Sequence, residues 1–106
     1  YTLADRTTRF DEASKYIYRA LELLPDDPAI LDSIGWLQYR IGNYDDAVQY
    51  LTRAYDLNDD GEIAAKLGEV LWVKGEQQRA KKLLQQVLEK APGDKRVLEA
   101  MQRLVK

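Results

Sequence analysis

The side chains of this sequence whose type and spacing could do chemistry are three pairs of adjacent acids: Asp26 with Asp27, Asp45 with Asp46, and Asp59 with Asp60. Neighbouring carboxylates can hold a divalent cation or share a proton in acid–base catalysis. Each pair, however, falls at a boundary between predicted helices, where a carboxylate accepts hydrogen bonds from the unpaired N–H groups of a helix start. The sequence therefore predicts helix caps at these places and no metal site.

The residue types that catalysis uses most often are absent or isolated. The chain has no cysteine and no histidine, which excludes thiolate nucleophiles, disulfides, and the commonest general base and zinc ligand. Ser14 and Ser33 have no neighbouring base, and the glycines do not form a phosphate-binding loop. We therefore predict that the chain is not an enzyme, uses no cofactor and holds no metal.

Length and composition indicate one small folded domain. The 106 residues are 45% hydrophobic and 32% charged, a mixture too apolar for a disordered segment. No apolar run approaches the ~20 residues that a membrane-spanning helix needs, so no direct membrane insertion is expected. The net charge of -2 is uneven, because residues 1–60 are acidic and residues 61–106 are basic. Such an asymmetry can steer a partner towards one end of a molecule.

The basic half of the chain could form a nucleic-acid surface. Six of its bases could contact phosphates: Arg79, Lys81, Lys82, Lys90, Lys95 and Arg96. Glu76, Glu89 and Glu99 interrupt them, and no stripe of aromatic residues accompanies them for base stacking. The sequence pI of 5.1 also argues against a polyanion as ligand. We predict a solvated helix face here and no nucleic-acid partner.

A repeat of 33–34 residues organises the chain. Two glycines and one alanine recur at a spacing of 33: Gly35 as Gly68, Gly42 as Gly75, and Ala47 as Ala80. A spacing of 34 links Ala13 to Ala47 and Ala20 to Ala54 in the same phase. Self-similarity at this period is typical of proteins that stack one supersecondary unit on the next.

Each repeat predicts two helices. Apolar side chains recur every three or four positions in residues 28–41 and again in residues 44–57, which is the pattern of one buried helix face. Asp27 is the predicted N-cap of the first helix, and Gly42 is expected to end it. Asn43 is the predicted cap of the second helix.

The glycines inside the first helices indicate close helix crossings. Gly35 and Gly68 each cost ~1 kcal/mol in helix propensity relative to alanine, so we expect a partner helix to approach closely at both. Ala47 and Ala80 are the predicted facing residues on the second helices. Small residues further along those helices would face the following unit, so that antiparallel helix pairs stack in series.

These landmarks resemble those of the tetratricopeptide repeat family. The matching positions are the first-helix glycines, the turn glycines, the second-helix alanines, and the prolines Pro25 and Pro92. The resemblance implies an all-α fold, a right-handed α-solenoid of antiparallel helix pairs over residues 1–106. Its units would be a truncated first repeat at 1–27, a second repeat at 28–60, a third at 61–94, and a C-terminal capping helix or the start of a fourth repeat at 95–106.

In this family the first helices line a concave groove that binds a protein or peptide, so the resemblance also implies groove residues. They are Asp32, Trp36, Tyr39 and Arg40 in the second repeat, Glu62, Lys66, Glu69 and Trp72 in the third, and Arg96 and Arg103 in the last helix. Trp36, Tyr39 and Arg40 share one helix face, and these residue types are enriched in binding hot spots. For Trp36 and Trp72 a second interpretation stays open, in which both are core aromatics.

A narrower resemblance concerns residues 3–13, 28–36 and 64–72, which are similar to tetratricopeptide lipoproteins of proteobacteria. It implies an outer-membrane lipoprotein that acts as adaptor for a periplasmic carboxyl-terminal processing protease. The chain begins without Met, which predicts a piece of a longer protein and leaves its compartment open.

Two function classes are consistent with the sequence. The first is a protein-interaction scaffold that binds a peptide or protein partner in the groove. The second is a structural spacer or self-association segment of a longer repeat array. For the second, an apolar face around Phe10 and Ile17 at the truncated N-terminal end predicts a homo-oligomer formed through that end.

Overall fold

The computed structural model describes residues 15–104, and within that range the chain forms six helices and no strand. Helix α1 covers residues 15–23 of the described range. The others are α2 (Pro28–Ile41), α3 (Tyr44–Leu57), α4 (Gly61–Lys74), α5 (Gln77–Lys90) and α6 (Lys95–Leu104). The predicted all-α fold is confirmed.

The helices pair, and the pairs stack. Helix α2 packs against α3, and α4 packs against α5. Helices α2, α4 and α6 touch in succession, whereas α3 and α5 are joined through α4, which contacts both. Helix α6 packs on α4 and α5 at the end of the stack. This arrangement is the predicted solenoid of helix pairs, with the first helices of successive pairs forming one continuous layer.

The ends of α2 are set by the residues that the sequence indicated. Asp27 Oδ1 accepts hydrogen bonds from the backbone N–H groups of Ala29 (2.9 Å) and Ile30 (3.4 Å), which have no partner inside the helix. Gly42 ends the helix in the left-handed backbone region, at a φ of 105°, where a side chain would be strained. Both predicted signals are confirmed.

Asn43 occupies the predicted N-cap position of α3, but its side chain makes no capping hydrogen bond there. Its Nδ2 donates instead to Gln38 Oε1 at 2.8 Å, and Gln38 Nε2 donates to the Tyr18 hydroxyl at 2.7 Å. Gln38 is 6% exposed, and a buried amide without partners is costly, so the need to satisfy this amide takes precedence over capping.

The core runs through the stack as three adjoining apolar clusters. One joins α3 to α4 and α5, one joins α4 to α5 and α6, and one joins α2 to α3 and α4. The largest fully buried side chains are Leu31, Ile34, Leu51, Val70, Leu84 and Val97. Because every cluster includes residues from neighbouring pairs, the stability of each repeat depends on the next one.

The close helix crossings are where the glycines predict them. A Cβ atom placed on Gly35 would lie 2.7 Å from Leu51 Cγ, and Leu51 lies one turn after Ala47. One repeat later, a Cβ on Gly68 would lie 3.0 Å from a methyl carbon of Leu84, one turn after Ala80. The atoms nearest to both glycines thus belong to leucines that the sequence did not indicate. The two alanines are fully buried, and their facing role stays a prediction.

Some sequence-based expectations fall on residues that the structure does not describe. Phe10, Ala13 and Ser14 precede the described range. Self-association through the N-terminal end depends on Phe10 and therefore stays a prediction.

Candidate functional site

The first helices α2, α4 and α6 line a hollow of about 360 Å³, which we call the groove. Its lining residues are Trp36, Glu62, Ala65, Lys66, Glu69, Arg96, Glu99, Ala100 and Arg103. The groove lies where successive first helices meet, so its shape is set by the stacking of the pairs. Six of the ten predicted groove residues are in this set.

Charged side chains of the groove are joined across successive first helices. Lys66 Nζ of α4 lies 3.1 Å from Asp32 Oδ2 of α2, and Arg96 Nη1 of α6 lies 3.7 Å from Glu62 Oε2 of α4. Arg103 of α6 forms a salt bridge with Glu69 of α4. Each pair is separated by 34 residues along the chain, with the acid on the earlier helix and the base on the later one. The groove therefore carries a series of ion pairs at the period of the repeat.

The Asp32–Lys66 pair is the least exposed of the three. The side chain of Asp32 is 16% exposed and that of Lys66 is 26% exposed. Lys66 Nζ donates to both carboxylate oxygens of Asp32, at 3.2 and 3.1 Å. Water screens such a pair less than one on an open surface, so this pair holds α2 to α4 more firmly than either of the other pairs holds α4 to α6.

Trp36 serves the groove and the core together. Its ring centroid lies 4.8 Å from that of Tyr39, and Lys66 Nζ lies 5.7 Å from the centre of the indole. The indole lines the groove on one side and packs on the cluster of α3, α4 and α5 on the other. Trp36 is thus both a groove residue and a core aromatic, because its ring is half-buried and keeps an accessible edge.

Tyr39 lies beside the groove and is tied to its charges. Its ring centroid is 5.7 Å from that of Tyr44. Burial raises the pKa of the Tyr39 hydroxyl, the Glu69 carboxylate raises it further, and Arg103 opposes the shift. The phenol therefore stays protonated at neutral pH and can donate its proton to Glu69.

Two predicted groove residues lie elsewhere. Arg40 lines a neighbouring hollow of about 360 Å³ that shares Trp36 and Lys66 with the groove. Trp72 lines neither hollow, because its indole lies under Lys81 of α5, with Lys81 Nζ 5.8 Å from the ring centre. The structure therefore brings Arg40 next to the groove and separates Trp72 from it.

Sequence reasoning missed Ala65 and Ala100 as lining residues, and it missed the pairing of the charges. Small side chains at these two positions keep the groove open between the longer charged residues. Asp60 was also missed as a partner of Arg96, whose Nη2 lies 3.2 Å from Asp60 Oδ1. A spacing of 34 residues between an acid and a base is the sequence signal that could have revealed the three ion pairs between successive first helices.

The acidic pairs do not gather into a cation site. Within residues 15–104 no group of three or more acidic side chains is placed to hold a metal ion. Asp27 and Asp60 accept hydrogen bonds from N–H groups at the starts of α2 and α4, and Asp45 pairs with Lys74 Nζ at 2.9 Å. Among the described residues, no helix is long and apolar enough to cross a bilayer.

The sequence of this chain matches known protein families. One family described as tetratricopeptide repeat matches residues 39–104, and a second of the same description matches residues 2–62. The chain belongs to the tetratricopeptide repeat family. The repeat period, the turn glycines and the layer of first helices are therefore features of this family in this chain.

Parts of this chain are similar in sequence to two named proteins. The chain is 58% identical over 69 residues to a TPR repeat-containing protein of Pseudomonas aeruginosa, over 65% of this chain and 12% of that protein. It is 31% identical over 52 residues to anaphase-promoting complex subunit 6 of Dictyostelium discoideum, over 49% of this chain and 6% of that protein. The chain thus spans a small part of each relative.

We predict that Asp32 and Lys66 are energetically coupled. Asp32→Ala is expected to lower the free energy of unfolding by about 1–2 kcal/mol, between the values typical of exposed and buried pairs. In a double-mutant cycle with Lys66→Ala, the second substitution should cost about 1 kcal/mol less than it does alone. The Asp26–Arg53 pair, 3.8 Å apart and with side chains 81% and 50% exposed, is the matched control and should show no coupling. Additive changes at Asp32 and Lys66 in urea titrations would contradict the prediction.

Proposed function

We propose that this chain is a protein-interaction scaffold that binds a peptide or protein partner in its groove. Tetratricopeptide repeats generally mediate protein–protein interactions and are typically non-enzymatic, so the coarse function class follows from the family. The observation that carries the groove assignment is the half-buried indole of Trp36 on the wall of the groove. A rigid aromatic with an accessible edge is the type of residue that anchors protein interfaces.

Apolar burial on Trp36 would supply most of the affinity. The bases Lys66, Arg96 and Arg103 are already paired with acids, so a charged ligand group must compete with an existing partner. Charges of the groove therefore set the position and orientation of the ligand more than the strength of binding. Arg40, beside the groove, makes no salt bridge with any residue in the described range and is available to a carboxylate of the partner.

The test compares two tryptophans that pack on the same core cluster. Replacing Trp36 by alanine, alone or together with Arg40→Ala, is expected to weaken partner binding at least tenfold in a calorimetric titration, with helicity by circular dichroism unchanged. Trp72→Ala removes an indole of the same size that lies outside the groove, so it should leave binding within twofold of the parent. The partner is obtained first, by affinity capture with the full-length parent protein. Equal losses for the two tryptophans would overturn the groove assignment.

A structural spacer or self-association segment is the second candidate function. It predicts that the chain forms dimers at high concentration and that no partner binds with dependence on Trp36. Light scattering of the purified chain distinguishes the two candidate functions. If the chain is a strict monomer and binds a partner through Trp36, the second candidate is excluded.

A narrower form of the proposal concerns the partner. The similarity of residues 28–36 and 64–72 to proteobacterial lipoproteins supports an adaptor for a carboxyl-terminal processing protease, anchored at the outer membrane and facing the periplasm. Titrating such a protease with the full-length parent tests this directly. Absence of binding would overturn the adaptor role and leave the groove proposal to its own test.

A further inference from the structure

A second hollow, of about 430 Å³, lies between the second helices α3 and α5, and we call it the α3–α5 cleft. Its lining residues are Thr52, Tyr55, Asp56, Leu67, Leu71, Arg79, Lys82, Leu83 and Gln86. None of these residues lines the groove, and the proposed groove function does not use any of them. The cleft exists because α3 and α5 are joined only through α4, whose side chains form its floor.

The preceding helix junction shows what can occupy this position. Between α1 and α3, the hydroxyl of the partly exposed Tyr18 accepts a hydrogen bond from Gln38 Nε2 at 2.7 Å, and the pKa of Tyr18 is raised by burial and further by the neighbouring Tyr50. The residues one repeat later are Thr52 for Tyr18, Leu71 for Gln38, and Leu83 for Tyr50, at spacings of 34, 33 and 33. All three of these later residues line the α3–α5 cleft. The phenol that occupies the first junction is thus replaced by a short threonine at the second.

The floor of the cleft is apolar where the earlier junction is polar. Leu67 and Leu71 are 4% and 3% exposed, and the half-buried side chains of Tyr55 and Leu83 form its walls. Gln38 donates a hydrogen bond to a phenol at the first junction, whereas Leu71 can donate none. A ring with a hydroxyl would leave that hydroxyl without this partner, so the cleft favours an aromatic side chain that has no polar tip.

The rim of the cleft is basic on its α5 side. Arg79 and Lys82 are both exposed, and Arg79 is paired with Glu76 at 2.9 Å. Lys82 forms no salt bridge with any residue in the range 15–104. Asp56 lies on the opposite, α3 side, so the charge of the rim is asymmetric. A ligand carboxylate would be attracted towards α5 and repelled from α3.

We propose that the α3–α5 cleft binds a segment of a partner protein that carries a phenylalanine flanked by acidic residues. The phenyl ring takes the place that the Tyr18 ring holds at the preceding junction. The flanking carboxylates meet Lys82 and Arg79. Binding here is independent of the groove, so the two surfaces can be occupied by different parts of one partner.

The experiment titrates the chain with a short synthetic peptide that has one central phenylalanine and two glutamates on each side, followed by NMR. Amide shifts are expected to cluster at Thr52, Tyr55 and Leu83 and to leave Ala65 and Glu99 of the groove unchanged. Matched peptides with alanine for phenylalanine, or with glutamine for all glutamates, should each bind at least tenfold more weakly. Shifts confined to the groove, no saturable shifts at millimolar peptide, or equal binding of the matched peptides would overturn the proposal.

Variants of the chain sharpen the test. Thr52→Phe should fill the cleft with its own ring and weaken peptide binding at least tenfold, while Thr52→Ser keeps the cleft open and should bind within twofold of the parent. Lys82→Glu, at an exposed position of α5, should also weaken binding at least fivefold. Undiminished binding by Lys82→Glu, or by a folded Thr52→Phe, would overturn it.

Discussion

Replacing Leu51 with alanine is expected to lower the free energy of unfolding by about 2–5 kcal/mol, the range for large-to-small substitutions in a core. Leu51 is fully buried, packs in the cluster that joins α3 to α4 and α5, and reaches into the space beside Gly35. A domain of this size is stable by only about 5–15 kcal/mol in total, so the loss should lower Tm by ten degrees or more. Urea and thermal unfolding followed by circular dichroism measure both quantities.

The same contact predicts that the cost of a side chain at Gly35 depends on Leu51. Alone, Gly35→Ala should destabilise the chain, because its Cβ would lie 2.7 Å from Leu51 Cγ and overpacking outweighs the gain in helix propensity. With Leu51→Ala already present, Gly35→Ala should cost much less, since the side-chain contacts are gone and only the backbone nitrogen of residue 51 stays close, at 3.2 Å. Ser33→Ala, exposed on the same helix, is a control that removes only a hydrogen bond from the Ser33 hydroxyl to the Ala29 carbonyl. If Gly35→Ala had the same effect in both backgrounds, this helix crossing would not depend on Leu51.

The second large effect is expected at the join between α4 and α6. A Cβ on Gly61 would lie 2.0 Å from Asp94 Oδ2, and Asp94 Oδ1 accepts hydrogen bonds from the N–H groups of Arg96 and Val97 at the start of α6. Gly61→Ala should therefore displace the carboxylate, remove the cap of α6 and lower the free energy of unfolding by about 1–3 kcal/mol. Hydrogen exchange resolved by residue should show the protection of α6 amides falling first.

The matched control for this prediction is Gly93→Ala. A Cβ on Gly93 meets no atom within 4 Å, so the substitution adds the same methyl one residue before the cap without a clash. Stability and α6 protection should stay close to those of the parent. An equal loss in the two variants, or a loss of protection spread evenly over all helices, would show that Gly61 does not act through Asp94.

The helices and their order could be predicted because local signals agree with the tertiary structure. At Asp27 and Gly42 the backbone itself demands a particular residue: an acceptor for unpaired N–H groups in one case and a positive φ in the other. The periodic apolar positions then fix which face of each helix is buried. Such signals depend on neighbours within four residues, which the sequence displays directly.

The sequence-based predictions fail where contacts between helices determine which partner a side chain has. Asn43 has the right type to cap α3, but the buried amide of Gln38 engages it across a turn. Gly35 marks a close crossing, but the side chain nearest to it belongs to Leu51, one turn after the alanine that the repeat period indicated. Side-chain reach and the satisfaction of buried polar groups depend on three-dimensional distances, which a repeat period does not encode.

The sequence predicted which helices line the groove, but it did not predict how the side chains of the groove are paired or covered. Lys66, Arg96 and Arg103 were expected as separate contact residues, and the structure joins each of them to an acid one helix earlier. Trp72 follows the same pattern as Tyr39 along the sequence, but it lies under Lys81 of α5. The position in the repeat identifies the helix face, and the neighbouring helix decides what remains accessible.

The central claim, that a partner binds in the groove, is tested most directly by site-specific photo-crosslinking in the full-length parent protein. A benzophenone amino acid replaces Glu99, which lines the groove and makes no salt bridge with any described residue, or Gln49, which is exposed on α3 outside the groove and the α3–α5 cleft. We expect that position 99 crosslinks to a partner protein, that Trp36→Ala abolishes this crosslink, and that position 49 gives none. Crosslinking from position 49 but not from position 99, or a crosslink at position 99 that persists in Trp36→Ala, would contradict it.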